Sequence, residues 1–238
     1  MPLILCHSPV GGVGTSFLAA NLSLALAACG HNVTAIDFTH VDALKLFFGM
    51  LPAHEIPAMI DSESEGIVVD GVEILSGYAA ARSGVFERLL KHRTALPFDD
   101  ERIVVADVAS ADLTIKNSLL PHAALHLCAL MPQPTSLAAL ANVQPGSVTI
   151  DLERTAFVLN QTDDTRKFSR HSQVFLQALL GEKLIATVRR DEAVNEALAS
   201  FQPLARYAKQ SVILPDLVSL AIAVEARCGF VDIVERVR

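Results

Sequence analysis

Residues 9–17 read PVGGVGTSF and sit between the apolar run LILC and the segment LAANLSLALA. Gly11, Gly12 and Gly14 permit a backbone with positive φ that can approach a bound group closely. Successive N–H groups of such a loop, followed by a helix N-terminus, cradle phosphate oxygens. The pattern for that chemistry is G-x-x-x-x-G-K-[ST], with the lysine on the β- and γ-phosphates and the hydroxyl on Mg²⁺. Gly14 stands at the last glycine and Ser16 at the hydroxyl, but Thr15 occupies the lysine position. Gly11, Gly12, Val13, Gly14, Thr15, Ser16 and Phe17 therefore form a candidate nucleotide loop without its cation. Taken alone, a glycine-rich turn is equally a tight strand-to-helix connection.

The elements around it must place the loop at the edge of a sheet. Short apolar runs at 2–7, 33–37, 67–69, 72–75, 102–108, 124–130, 155–160 and 184–188 predict strands. Longer patterns at 15–29, 41–48, 79–93, 113–121, 135–142, 168–180, 191–200 and 215–228 predict helices. This alternation implies βαβ units and a doubly wound, mostly parallel α/β sheet flanked by helices. Asp70-Gly71 between two short runs predicts a hairpin turn. Residues 52–66 are polar and Pro-containing and read as a loop or lid. No repeat or linker divides the chain, so residues 1–238 are expected to form one domain.

Composition narrows the function further. At 51% hydrophobic residues the chain can bury a large core, and with no tryptophan and only 5% aromatics that core is expected to be built from Leu, Val, Ile and Ala. The net charge of −7 and the lack of a basic run argue against nucleic-acid binding, which rests on phosphate neutralisation. Cys6, Cys29, Cys128 and Cys228 are scattered with no metal-binding spacing and read as reduced thiols. His122 and His126 lie four residues apart, but the segment runs into a strand and offers no carboxylate partner. The chain opens on a core strand rather than a secretory signal. Its greasiest windows fall short of the ~20 apolar residues that span a bilayer. A cytoplasmic protein is expected.

The stretch GGVGTSFLAANLSLALAACGHNVTAIDF resembles the start of MinD/ParA-type ATPases, whose loop reads K-G-G-x-G-K-[ST]-[ST]. DFTHVDALKLFFGM is similar to the family's switch segment, and IVVADVAS to its Walker B strand. VLN at 158–160 and DEAVNEALASFQP are placed like the family's adenine-contacting Asn and nucleotide-embracing segment. The likeness is greatest to the cellulose-biosynthesis (BcsQ) branch, which carries a GGVGT-type loop and an RDEAV-like segment. The resemblance implies a P-loop NTPase fold and ATP or ADP with Mg²⁺ as ligands. It implies metal contact through Ser16, Asp37 and Asp107, and nucleotide contact through Asn160, Arg189, Arg190 and Asp191. From the residues alone, the aspartates are equally helix caps, Asn160 a strand-end turn residue and the arginines solvated surface.

The departures from the family are as informative. Val10 stands where the family's signature lysine reaches the partner's nucleotide, and Thr15 replaces the Walker lysine. Phe17 replaces a second hydroxyl, Thr39 an Asp associated with the attacking water, and Arg189 a frequent proline. Phosphoryl transfer is catalysed by positioning and charge stabilisation. Each charged hydrogen bond contributes roughly 1.5–3 kcal/mol, and ~1.4 kcal/mol is tenfold in rate. The expectation is therefore nucleotide binding with slow or absent hydrolysis.

The resemblance implies a homodimer that serves a cellulose-synthase complex, recruited to the inner membrane by partners. The terminal FVDIVERVR has few basic residues, so it is expected to be a plain helix rather than a membrane anchor. The rival readings are an active partitioning or positioning ATPase and a nucleotide-free interaction protein. Phe17 beside the α-phosphate position favours the latter.

Overall fold

The computed structural model of the chain describes residues 2–59, 64–83, 86, 102–141 and 154–230. Strand β1 (Leu3–His7) is buried along its whole length, as a central strand of a parallel sheet must be. It pairs in parallel with β5 (Arg102–Asp107) on one side and β6 (Leu125–Leu130) on the other. Outward from β5 come β2 (Asn32–Asp37), β4 (Val72–Ser76) and β3 (Ile67–Val69); outward from β6 come β7 (Thr155–Thr162) and β8 (Leu184–Arg189). The sheet has eight strands in the order β3-β4-β2-β5-β1-β6-β7-β8, and only the β3–β4 pair is antiparallel. All the strand expectations are met. The β3–β4 hairpin turns through Asp70 and Gly71, both at positive φ (48° and 82°), as a two-residue type I′ loop requires.

Helices cover both faces. On one face lie α1 (Thr15–Ala28) and, near the C-terminus, α9 (Ile213–Cys228). Helix α1 is apolar almost all round because the sheet and neighbouring helices enclose it. Leu18, Leu22 and Leu26 of α1 meet Ile4, Val105, Leu217 and Leu220 in the largest core cluster. On the other face, α4 (Leu113–Leu119) covers Leu3, Leu5 and Val104, and α6 (Lys167–Leu180) covers Cys128, Phe157 and Leu159. The shorter helices are α2 (Leu44–Phe47), α3 (Tyr78–Ala81), α5 (Pro134–Ala141), α7 (Ala193–Ala199) and α8 (Leu204–Tyr207). The result is the expected three-layer α/β/α arrangement.

Differences from the sequence expectation have local causes. The helix expected over 41–48 contracts to Leu44–Phe47 because the Asp37 carboxylate accepts the N–H groups of Thr39 (2.7 Å) and Leu44 (3.0 Å). These two hydrogen bonds curl the intervening chain into a loop, with Asp42 at φ 55°. The helix expected from 191 begins at Ala193, after a turn in which the Asp191 carboxylate accepts the Ala193 N–H at 3.0 Å. Helix α9 starts two residues before its expected start, with Pro215 in its first turn, where a missing N–H costs nothing. Most of the helix expected over 79–93, residues 60–63 of the polar loop and residues 231–238 of the terminal segment lie outside the described residues.

Candidate nucleotide site

The loop after β1 opens at the carboxyl ends of the central strands. There the chain reverses its direction of winding across the sheet, the usual ligand crevice of such folds. Val10 N–H donates to Ser8 Oγ at 3.1 Å, which tightens the entry to the loop. Gly12 and Gly14 have φ of 75° and 87°. Gly14 is the N-cap of α1 and offers no side-chain cap, so the first N–H groups of the helix stay open to a ligand. A Cβ at Gly14 would also overlap the Asn160 amide, so glycine is required there for space as well as for backbone angle.

Two adjoining cavities meet at Gly14, Phe17 and Phe47. The larger, of about 420 Å³, is lined by the loop, including Val10, Thr15 and Ser16, and by Thr39, Asp107 and Ser110. The smaller, of about 170 Å³, is lined by Asn160, Gln161, Arg189, Arg190 and Asp191 together with α7. Residues far apart in sequence thus line one crevice. Phe17 is largely buried and meets Phe47 edge to face with ring centroids 5.8 Å apart. The pair forms a wall shared by both cavities, with open space on either side.

The carboxylates divide their work. Asp37 and Asp107 are register partners on adjacent strands, and both are buried. Asp37 holds the loop to α2 through its two backbone bonds, and burial raises its pKa. Neither oxygen of Asp107 has a hydrogen-bond partner among the described residues. Burial, followed by the charge of Asp37, pushes the Asp107 pKa up to about 7. The Ser16 hydroxyl offsets this in part, without a bond of normal geometry. A buried carboxylate left unsatisfied on a cavity wall beside a hydroxyl fits a divalent cation. Among the described residues, no group of three or more His, Cys, Asp or Glu could hold a metal unaided. Mg²⁺ suits the place because it keeps several waters and shares its coordination with phosphate.

The residues expected to touch nucleotide turn out to have partners of their own. Val13 is buried, so only its backbone can face a ligand, and its carbonyl accepts from Asn160 Nδ2 at 2.8 Å. Asn160 Oδ1 accepts the Gln161 N–H at 3.0 Å, so this amide locks the loop to the end of β7 while its edge lines the smaller cavity. Arg189 is clamped to Asp216 through Nε (2.9 Å) and Nη2 (2.8 Å), which fastens β8 to the first turn of α9. The Asp191 carboxylate accepts the Ser211 hydroxyl at 2.7 Å as well as the Ala193 N–H, and these bonds lower its pKa. Arg190 is exposed, and its guanidinium makes no hydrogen bond or ion pair to the described residues. Phe47, Gln161 and Asn195 also line the smaller cavity, and the sequence singled out none of them. Gln161 directly follows the strand-end Asn and has φ 57°, a clue that only the backbone reveals.

A glycine-rich loop at the switch point of a doubly wound sheet marks the class of fold. Residues 4–204 match the CobQ/CobB/MinD/ParA nucleotide-binding domain (CbiA), and the chain belongs to that family. A ParA family ATPase from Chlorobium tepidum superposes with a TM-score of 0.73 at 18% identity, over 93% of this chain and 98% of that one. The MinC:MinD cell division complex of Aquifex aeolicus gives a TM-score of 0.72 at 15% identity, over 95% and 96% of the two chains. MinD of Pyrococcus horikoshii, complexed with Mg-ADP, gives 0.68 at 18% identity, over 96% and 97%. At these identities the likeness is one of fold. The comparison with curated proteins gives no match. Among the described residues, no helix is long and apolar enough to cross a membrane.

Proposed function

We propose that this protein binds an adenine nucleotide with Mg²⁺ and hydrolyses it very slowly or not at all, using the bound nucleotide to hold an assembly together. One observation carries the reading. The cavity beside the glycine loop keeps an unsatisfied acid, Asp107, next to Ser16, while Val10 and Thr15 line it where lysines would stand. The site retains what holds Mg²⁺ and backbone-bound phosphate and lacks what stabilises charge on a transferring phosphoryl group.

The partner assignment rests on the resemblance to the cellulose-biosynthesis branch. In this reading a homodimer acts as an assembly or localisation scaffold, docks on a cellulose-synthase complex and is recruited to the inner membrane by that partner. The related structures favour a second reading, a partitioning or positioning ATPase. Val10, Thr15 and Thr39 on the cavity wall count against it.

Denaturing the purified protein and identifying any released nucleotide tests the binding. Melting with and without Mg²⁺·nucleotide then measures it, since saturation at ~100 times Kd adds ~2.7 kcal/mol. A melting curve unmoved by millimolar nucleotide, in protein free of co-purified nucleotide, would leave the nucleotide-free interaction protein as the reading.

A further inference from the structure

We infer that this site is built for a nucleoside diphosphate with Mg²⁺, and that a third phosphate adds no affinity. The inference rests on the proposed nucleotide binding and concerns which nucleotide is held. Among the described residues lining the larger cavity, none is Lys or Arg. The nearby lysine of α2, Lys45, is bound to Asp42 at 2.8 Å and to the His54 carbonyl at 2.7 Å. In the smaller cavity Arg189 is held by Asp216, so among the described residues lining the two cavities Arg190, at the Asn160 end of the crevice, is the one cation without a side-chain partner among them.

The positive potential at the loop therefore comes from the open N–H groups of α1 and from a bound Mg²⁺. Both act next to Gly14, Thr15 and Ser16. The rest of the larger cavity is walled by Val10, Val41, Val108 and Ala109. A third phosphate brings one more negative charge into a crevice that already holds the Asp37–Asp107 pair. A charge withdrawn from water without a partner is costly. Family-type sites answer that charge with a lysine. Here the side chain at that position is the neutral Thr15, whose hydroxyl offers a single donor.

Calorimetric titration of nucleotide-free protein with ADP and with a non-hydrolysable ATP analogue, each with Mg²⁺, reads the preference directly. The expected result is a diphosphate Kd equal to or below that of the triphosphate analogue. Thr15→Lys should then shift the ratio at least tenfold toward the triphosphate. The order expected for one charged hydrogen bond is about 1.5–3 kcal/mol, or about 10- to 150-fold. A triphosphate analogue that binds the unaltered chain measurably tighter than ADP overturns the inference and leaves the proposed function standing. A ratio unmoved by Thr15→Lys also overturns it, because the missing cation would not be what sets the preference. Failure of both nucleotides to bind overturns the proposed function itself.

Discussion

Asn160 reaches back across the sheet to donate its side-chain amide to the Val13 carbonyl at 2.8 Å, in the space that a side chain on residue 14 would need. The end of β7 and the loop after β1 are thereby fixed as one unit. A nucleotide bridging the two cavities would meet a loop whose shape is already set, which lowers the ordering cost of binding.

Two substitutions test that clamp. Asn160→Ala leaves a buried carbonyl without its donor and should cost about 1–3 kcal/mol of stability. Gly14→Ala must place a Cβ in a left-handed backbone, at about 1–2 kcal/mol, and displace the Asn160 amide as well. Both should lower the denaturant midpoint and weaken nucleotide binding. Adding Asn160→Ala to Gly14→Ala should cost less than the separate losses added together, because the overlap disappears with the amide. Full additivity in a double-mutant cycle would show that the two residues do not share this contact.

The sequence revealed more of the fold than of the site's wiring. Strands such as LILCH and RIVVAD are nearly continuous apolar runs because parallel strands are covered on both faces, and such runs are visible without a structure. Gly12 and Gly14 signalled their positive φ through residue type alone. The partners of the polar residues were hidden. Asn160 and Val13 are 147 positions apart, and Arg189 and Asp216 are 27 apart, so no local pattern links them. An Asp at a strand end looks alike whether it holds a loop, as Asp37 does, or stands unpartnered, as Asp107 does.

The state of Asp107 gives a signed pH prediction. Its folded-state pKa, about 7, lies above the ordinary carboxylate value of 3.8. Between those values the folded state binds more protons than the unfolded one, so stability falls as pH rises through the window. At pH 8 without metal, Asp107→Asn should therefore be more stable than the parent by the order of a few kcal/mol, seen as a higher melting temperature. At pH 5 the difference should shrink. The variant should also lose its response to Mg²⁺·nucleotide. A destabilised variant at pH 8 would mean that the carboxylate has a partner after all.

Beneath the loop lies a second titrating pair with the opposite sign. His7 and His126 are fully buried with ring centroids 5.8 Å apart, and His126 Nδ1 lies 2.9 Å from Thr155 Oγ1. Burial lowers the pKa of His7 to about 4 and that of His126 to about 3, with the buried Lys116 adding repulsion to both. The unfolded chain takes up these protons near pH 6.5 and the folded chain does not, so stability is lost as pH falls from about 6.5 toward 4. Asp107 acts in the opposite direction over this window but equally in parent and variant, so the change in denaturant midpoint from pH 7 to pH 4.5 should be less unfavourable in His126→Gln than in the parent. An equal acid loss in the two proteins would show that other groups carry it.

The last prediction concerns turnover. Phosphoryl transfer needs cations where charge gathers and a group that orients water. Val10, Thr15 and Thr39 line the cavity in the places where the family resemblance puts two lysines and an Asp. Steady-state phosphate release from the purified protein should lie far below the ordinary enzyme range of about 1 s⁻¹ and above. Thr15→Lys should tighten triphosphate binding but leave turnover low, because Thr39 still has no carboxylate and Val10 no ammonium. A Thr15→Asp control should weaken binding, since it sets a negative charge at the helix N-terminus where the phosphates would lie. Robust hydrolysis by Thr15→Lys alone would mean that the site is one residue from activity and that Val10 and Thr39 do not limit it. Robust hydrolysis by the unaltered chain, abolished by Gly14→Asp, would make the protein an active ATPase of the partitioning type.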